Sequence, residues 1–280
     1  MDDTEYPLDR RRVRQAFDAS ADQYEEAAHL QRYVAEQLVD RLVDLAPQAK
    51  RIVDLGCGTG YLGRCVKTHY GDADMVSVDL APSMTHHAAA TTSGNFVCAD
   101  IETPVFANSS FDLAVSNLTL QWCDFVKVFE RIGEWLTPGG LWIFSTLGPD
   151  TLMELRNAYR SLDDTPRVHR FTDMHHLGDA LLALGFKDPV LETERVTMTY
   201  PSVSLLMRDL KAIGAANADR QRERGLSSPR KHRQLVENYE QLRDADGQLP
   251  STWEVVYGHA WQPGPSSVRV DFNSVIHSPK

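Results

Sequence analysis

The sequence has few features of a secreted, membrane-bound or metal-dependent protein. It contains four cysteines in 280 residues, without C-x-x-C spacing or a nearby histidine pattern. Its ten histidines form no H-E-x-x-H motif, and no apolar run approaches the roughly 20 residues of a membrane helix. The opening residues, MDDTEYPLDRRR, lack the apolar region of a secretory signal. We therefore expect a cytoplasmic protein with reduced cysteines, no bound metal and no membrane association.

The sequence also lacks the positive charge of a general nucleic-acid-binding protein. Its formal net charge is −10, so the chain as a whole does not attract phosphates. A hydrophobic content of 42% and a charged content of 24% are ordinary for a globular enzyme. At 280 residues, the chain accommodates one large domain, or a core domain with an insertion.

Short apolar segments alternate with helical segments through the first half of the chain. Five segments have the pattern of strands: RIVDL, MVSVDL, NFVCAD, FDLAVSNL and LWIFSTL, the last following a turn at 137–140. This alternation predicts βαβ units, a parallel sheet and helices on both faces. Residues 189–200 and 251–261 also read as strands, which we expect to close the sheet as an antiparallel pair. The prediction is a seven-stranded α/β Rossmann-like sheet.

These patterns divide the chain into five segments. We predict an N-terminal helical cap that acts as a lid (1–48), an α/β core (49–200), a helical insertion for substrate or partner (201–250), a closing strand of the core (251–262) and a flexible tail (263–280).

The loop after the first strand, in RIVDLGCGTGYLG, fits two glycine motifs. Gly58, Gly60 and Gly63 form the G-x-G-x-x-G of dinucleotide-binding proteins. Gly56, Gly58 and Gly60 form a G-x-G-x-G preceded by Asp54. A carboxylate before the glycines suits a positively charged ligand, such as a sulfonium or an ammonium, better than a pyrophosphate.

Residues that follow the next strands favour S-adenosylmethionine. Asp79, with Leu80 beside it, ends the second strand and can accept both ribose hydroxyls. Asp100 and Ile101 follow the third strand and offer an acceptor for the adenine amino group beside an apolar surface for the ring. Asn117 leaves the fourth strand at the same rim. Gly63 is then expected to serve helix packing only.

Several segments resemble known enzymes. VDLGCGTG, SVDLAPSM, CADIE and FDLAVSNLTLQW together resemble the class I methyltransferases. The segments AFDASADQYEEAAHLQ, FDLAVSNLTLQWCDF, FSTLGPDTLMELRNAY, HRFTD, LMRDLKAIGAAN and LPSTWEVVYGHAW resemble the malonyl-acyl-carrier-protein O-methyltransferases of biotin synthesis. The resemblance extends from about residue 10 to 261. It implies transfer of a methyl group from S-adenosylmethionine to the free carboxylate of malonyl-acyl carrier protein, which starts pimeloyl synthesis.

This chemistry narrows the search for catalytic residues. A carboxylate nucleophile is already ionised at pH 7, so no general base is required. A cation that holds one carboxylate oxygen is useful, and Arg170 in HRFTD and Lys211 in LMRDLKAIG are the preferred candidates, ahead of Arg208. Tyr24 is a candidate lid residue whose ring could face the sulfonium. Gln121 and Trp122 are expected to line the methyl channel.

A basic segment interrupts the acidic chain at residues 219–234. It carries six cations against Asp219 and Glu223, namely Arg220, Arg222, Arg224, Arg230, Lys231 and Arg233. Such a run is either a solvated surface or a docking patch for acyl carrier protein, which is acidic.

Two other functions remain possible from the sequence alone. The complex I assembly factors and their bacterial relatives, which are tied to arginine hydroxylation, share DLGCG, the SNL…W run and related segments. A methyltransferase of the menaquinone or ubiquinone type is a third possibility, which the C-terminal segments make less favourable.

Overall fold

The computed structural model describes residues 8–45, 48–160, 162, 167–215, 217–220 and 228–264. The strands are β1 (Arg51–Leu55), β2 (Asp74–Asp79), β3 (Asn95–Cys98), β4 (Phe111–Ser116), β5 (Leu136–Leu147), β6 (Lys187–Tyr200) and β7 (Leu249–Trp261). The helices are α1 (Arg10–Ala27), α2 (His29–Leu45), α3 (Tyr61–His69), α4 (Pro82–Thr91), α5 (Phe125–Trp135), α6 (Met153–Arg160), α7 (Met174–Ala183), α8 (Val203–Ala212) and α9 (Pro229–Glu240). A short 3-10 helix, Leu120–Trp122, follows β4.

The strands form a single seven-stranded sheet in the order β3-β2-β1-β4-β5-β7-β6. The first five pair in parallel, and β7 runs antiparallel to both β5 and β6. Buried apolar clusters lie on the two faces of the sheet. The predicted α/β fold is therefore confirmed, including the antiparallel closing pair.

The strand register brings the ends of the first strands together. Leu55 pairs with Val78, and Asp79 pairs with Cys98. The residues that follow β1, β2 and β3 therefore lie side by side at one edge of the sheet. Ligands of open α/β sheets bind at this carboxyl edge.

The start of β5 differs from the sequence prediction. The strand includes the segment 137–140, which the sequence predicts as a turn. Leu136 pairs with Phe111, and the register shifts before Leu141 pairs with Leu113. More residues lie between Leu136 and Leu141 in β5 than between Phe111 and Leu113 in β4. The extra residues of β5 therefore form a bulge. Gly139, at φ +80°, accommodates this bend within the strand.

Helix α1 lies against α4 and reaches the carboxyl edge of the sheet. Asp18 accepts a hydrogen bond from the backbone N–H of Ser83, in the first turn of α4, at 3.0 Å. Further along α1, Glu25 pairs with Arg64 at 2.6 Å. Polar contacts of this kind position a helix without burying it in the core. Helix α2 instead buries a regular apolar stripe made up of Leu30, Val34, Leu38 and Leu42.

Candidate active site

The glycine loop after β1 is held by its own backbone. The N–H groups of Gly56 and Cys57 both donate to the carbonyl of Val78, at 2.8 and 2.9 Å. Gly58 N–H donates to Asp79 at 2.9 Å, and Gly60 N–H donates to the carbonyl of Cys57 at 2.8 Å. A loop that binds pyrophosphate directs such N–H groups at the ligand instead. The internal bonding of this loop therefore argues against the dinucleotide motif.

Close packing explains the first glycine of the loop. Gly56 has a φ of +72°, and a Cβ built there would lie 2.2 Å from the Thr119 hydroxyl oxygen. No other residue type fits without displacing Thr119, which follows β4. The loop after β1 and the loop after β4 are thereby packed together at the rim.

Asp79 connects the glycine loop to β2. One of its carboxylate oxygens accepts from Gly58 N–H at 2.9 Å, and the other accepts from Ala81 N–H at 2.8 Å. Burial raises the pKa of Asp79 to about 6, although the two backbone hydrogen bonds oppose this shift. Each oxygen retains a lone pair, so the carboxylate can still accept the two hydroxyls of a ribose.

A cavity opens between this rim and α1. Its wall contains seven of the cofactor-binding and lid residues that the sequence predicts: Tyr24, Gly56, Gly58, Asp79, Leu80, Ile101 and Asn117. The remaining lining residues are Arg10, Val13, Phe17, Ala99, Leu118, Thr119, Trp122 and Cys123. The cavity thus combines a polar end at Asp79 with a largely apolar wall, as a nucleoside-containing ligand requires.

Aromatic side chains close the cavity on the helical side. Tyr24 of α1 faces the glycine loop, where a Cβ at Gly58 would lie 4.0 Å from its ring. Phe17, also on α1, meets Trp122 edge to face with ring centroids 5.5 Å apart. Burial and the nearby Asp79 carboxylate raise the pKa of the Tyr24 hydroxyl, so it remains neutral. Trp122 lies in the wall, where the sequence predicts a channel residue, whereas Gln121, the other predicted channel residue, does not line the cavity.

Asn117 belongs to a buried hydrogen-bond network at the exit of β4. Its side-chain oxygen accepts from the Ser145 hydroxyl at 2.7 Å, and its side-chain nitrogen donates to the carbonyl of Gln31 at 2.9 Å. Ser145 also accepts from the N–H of Leu118, a residue held at φ +49°. The network therefore ties α2 to the rim and maintains a strained backbone there.

Asp54 and Gly60 support the site from beneath rather than lining it. Asp54 is fully buried, and neither of its carboxylate oxygens has a hydrogen-bond partner within the described ranges. Burial, and then repulsion from Asp79, raise the pKa of Asp54 to about 7. Gly60, at φ +87°, packs on Ala88 of α4, and Gly63 packs beside the Asp54 carboxylate.

Asp100 does not line the cavity, because an arginine of α1 engages it. Arg10 bonds to Asp100 with one nitrogen, and to Glu102 and the carbonyl of Trp122 with another. The same Asp100 oxygen accepts from the Glu102 N–H at 3.0 Å. The role of Asp100 toward adenine stays a prediction, and Arg10 is a site residue that sequence reasoning missed. Its only signal was its position in the basic run at the start of the N-terminal helix.

The cations expected to bind the substrate lie away from this cavity. Arg170 and Lys211 are both exposed and absent from the cavity wall. His169, the neighbour of Arg170, is buried instead and packs against Trp122. The motif HRFTD therefore reaches the site through its histidine, which sequence reasoning passed over because an arginine is the stronger carboxylate ligand.

The basic segment is described only in part. Arg222 and Arg224 fall outside the described residues. Arg220, Arg230 and Arg233 are exposed, and Lys231 is half-buried. Across the described ranges, no three His, Cys, Asp or Glu side chains converge on a common metal position. No helix in that part of the chain has the length and apolarity needed to cross a membrane.

Comparison with known proteins shows the class of protein to which this chain belongs. Residues 52–140 match the family model described as a methyltransferase domain. Among solved structures, the YcgJ protein of Bacillus subtilis aligns with a TM-score of 0.57 at 11% identity, over 81% of this chain and 98% of its own. Phosphoethanolamine N-methyltransferase 2 of Haemonchus contortus, solved with S-adenosyl-L-methionine, aligns with a TM-score of 0.56 at 19% identity, over 88% of this chain and 57% of its own. The fold is that of the Rossmann-like methyltransferases.

Curated relatives then narrow the class to a family. A malonyl-[acyl-carrier protein] O-methyltransferase of Halorhodospira halophila is 44% identical over 94% of this chain and 92% of its own length. One from Methylovorus sp. is 46% identical over 92% of this chain and 90% of its own. The chain belongs to the malonyl-[acyl-carrier protein] O-methyltransferase family.

Proposed function

We propose that this protein transfers the methyl group of S-adenosylmethionine to the free carboxylate of malonyl-acyl carrier protein. Family membership over more than nine-tenths of the chain is the observation that carries the proposal. The product is the malonyl methyl ester that starts pimeloyl synthesis in the biotin pathway. Relatives at this level of identity favour this activity over the assembly-factor alternative.

The residues of the cavity fit S-adenosylmethionine. Gly56 and Gly58 give the ligand access to the loop backbone, and Asp79 is placed to accept the ribose hydroxyls. Ile101 offers an apolar surface for the adenine, and the ring of Tyr24 can face a positively charged sulfur. When bound, the cofactor supplies a methyl group on a sulfonium, which is electrophilic without further activation.

The chain contributes orientation and exclusion of water. Because the attacking carboxylate is ionised at neutral pH, no proton has to be removed. Phe17, Leu118 and Trp122 form an apolar wall around the place where the two ligands meet. Removing water there strengthens the attraction between carboxylate and sulfonium, and both charges are lost as the methyl group moves.

The carrier protein is the expected macromolecular partner. We propose that it docks on the basic segment formed by Arg220, Arg222, Arg224, Arg230, Lys231 and Arg233. An acidic partner gains association rate from such a patch, because the remainder of the chain is strongly negative. A cytoplasmic location suits an acyl carrier substrate and stays a prediction.

Incubation with methyl-labelled S-adenosylmethionine and malonyl-acyl carrier protein tests the function. We expect the carrier to become labelled and mild base to release that label, because a methyl ester hydrolyses whereas a methylated amine does not. Binding of S-adenosylmethionine without transfer would contradict the proposal and favour the assembly-factor alternative. Acetyl-acyl carrier protein, which lacks the free carboxylate, is the control substrate.

A further inference from the structure

His169 is a buried histidine with an unpaired ring nitrogen within the described part of the chain. It lies between α6 and α7 and is 7% exposed. Its ring packs against Phe171, with centroids 4.4 Å apart, and against Trp122, with centroids 4.9 Å apart. Its Nε2 atom is buried and has no hydrogen-bond partner among the described residues. Buried polar atoms are nearly always paired, so an atom of this kind points to a ligand.

The position of His169 relates it to the proposed cofactor cavity. Trp122 lines that cavity and packs between Phe17 of α1 on one side and His169 on the other. A single aromatic side chain therefore links the wall of the cavity to the histidine. His169 does not itself line the cavity, and its Nε2 atom lies behind Trp122, buried from solvent.

The environment of His169 favours a neutral ring. Burial lowers the pKa of His169 to about 4; the Asp219 carboxylate opposes this shift, and the Arg156 guanidinium adds to it. The imidazole is therefore neutral at pH 7 and carries one N–H. Arg156 donates to the backbone carbonyls of Pro149 and Thr151, at 2.7 and 3.0 Å, so these hydrogen bonds do not neutralise its charge.

We propose that His169 is the substrate-binding residue that receives the malonyl carboxylate, donating its Nε2–H to one carboxylate oxygen. The inference rests on the proposed function and names the group that recognises its substrate. A neutral donor holds one oxygen and leaves the negative charge of the other available for attack. An arginine fork would bind both oxygens and lower their reactivity. Once the ester forms, the product has lost its charge and the contact weakens, which helps release.

Steady-state kinetics on the full chain test this assignment. His169→Phe keeps an aromatic ring and removes both nitrogens, whereas His169→Gln keeps an N–H donor of similar reach. We expect His169→Phe to raise the KM for malonyl-acyl carrier protein about 10- to 100-fold, in line with a hydrogen bond to a charged group. The dissociation constant for S-adenosylmethionine should stay unchanged. His169→Gln should have a KM for malonyl-acyl carrier protein between that of His169→Phe and that of the unaltered protein. His176→Phe, at an exposed histidine of α7, is the matched control.

Thermal stability separates binding from a structural role. Removing an unpaired buried nitrogen in favour of an apolar ring should leave the Tm of His169→Phe unchanged or raise it. A normal KM in His169→Phe overturns the assignment, as does a loss of activity that only follows a lower Tm. If His169→Phe does not fold, His169→Gln provides the test. A KM for malonyl-acyl carrier protein raised about 100-fold at a normal Tm then overturns the assignment, because the retained donor should preserve binding. Absence of methyl transfer by the unaltered chain is a different result, which contradicts the proposed function itself.

Discussion

The two halves of the cleft are constructed in different ways. On the cofactor side, at the ends of adjacent strands, the N–H of Gly56 donates to the Val78 carbonyl and the N–H of Gly58 donates to the Asp79 carboxylate. On the proposed substrate side, Trp122 and His169 meet through packing between segments far apart in the sequence. The first half depends on backbone conformation, and the second depends on how side chains assemble. Substitutions should therefore damage the two halves differently.

The largest effect is expected when the backbone of the cofactor half is altered. Gly56→Ala places a Cβ 2.2 Å from the Thr119 hydroxyl oxygen at a φ of +72°. The conformation alone costs about 1–2 kcal/mol, and displacement of Thr119 adds to this cost. We expect the affinity for S-adenosylmethionine to fall at least about 100-fold, as measured by calorimetric titration.

A second glycine separates strain from steric overlap. Gly139 has a φ of +80°, but a Cβ there would meet no atom within 4 Å. Gly139→Ala should lower the free energy of unfolding by about 1–2 kcal/mol without changing cofactor affinity. Equal losses of affinity in both variants would show that Thr119 packing is unimportant.

The next effect concerns the helix that covers both halves. Arg10 of α1 bonds to Asp100, to Glu102 and to the carbonyl of Trp122. Arg10→Gln removes these charge-assisted bonds and should weaken S-adenosylmethionine binding about 5- to 10-fold by loosening the lid. Arg11→Gln, at an exposed neighbour on the same helix, is the control. Unchanged binding in Arg10→Gln would mean that the lid closes without this contact.

A smaller effect is expected on partner docking. Reversal of Arg222, Arg224 and Arg230 to Glu should raise the KM for malonyl-acyl carrier protein about 3- to 10-fold, and the increase should shrink at high salt. Activity on a small malonyl thioester should survive, because the described members of the segment, Arg220, Arg230, Lys231 and Arg233, do not line the cavity. Kinetics on the two substrates measure the difference.

The matched control reverses the same amount of charge elsewhere. The exposed lysines for this purpose are Lys50, Lys127 and Lys187. Their reversal should leave the KM for the carrier close to normal. If both triple variants lose affinity equally, net charge rather than a docking patch governs association.

A protonation change at Asp54 should affect the pH dependence of stability rather than the affinity for a ligand. Its native pKa is raised to about 7 by burial and then by Asp79. The native state therefore holds a proton that the unfolded chain releases near pH 4. This contribution to stability is complete below about pH 4, falls as the pH rises toward 7 and is constant above that. The decline in Tm between pH 5 and 7 should be flatter in Asp54→Asn.

Cofactor binding should act on the same carboxyl. A positively charged ligand favours the ionised form, so binding of S-adenosylmethionine near pH 7 should release a fraction of a proton. Calorimetry in two buffers of different ionisation enthalpy measures that release, and Asp54→Asn should abolish it. An equal release from both proteins would assign the proton to another group.

The difference between the halves also explains what the sequence could predict. The cofactor side could be predicted, because strand ends and glycine loops are local features with fixed spacing. The predicted residues that line the cavity include Gly56, Gly58, Asp79, Leu80 and Ile101. The alternation of strands and helices predicts parallel pairing, whereas the order of the strands is known only from the structure.

The substrate side could not be predicted in the same way. The choice of Arg170 and Lys211 considered charge alone, but both side chains point to solvent. Arg10 meets Asp100 across 90 residues of sequence, a pairing that no local pattern encodes. The insertion also meets the N-terminal region through a contact between residues distant in sequence, since Leu8 forms an isolated β-bridge with Asp219. No local pattern encodes that contact either.

Methyl transfer to a matched pair of carriers tests the central claim most directly. The purified protein is mixed with S-adenosylmethionine and an equimolar mixture of malonyl- and acetyl-acyl carrier protein, and intact masses are followed over time. We predict that the malonyl carrier alone gains the mass of one methyl group. Methylation of both carriers, or of neither while S-adenosylmethionine is bound, would contradict the assignment of a malonyl carboxyl methyltransferase.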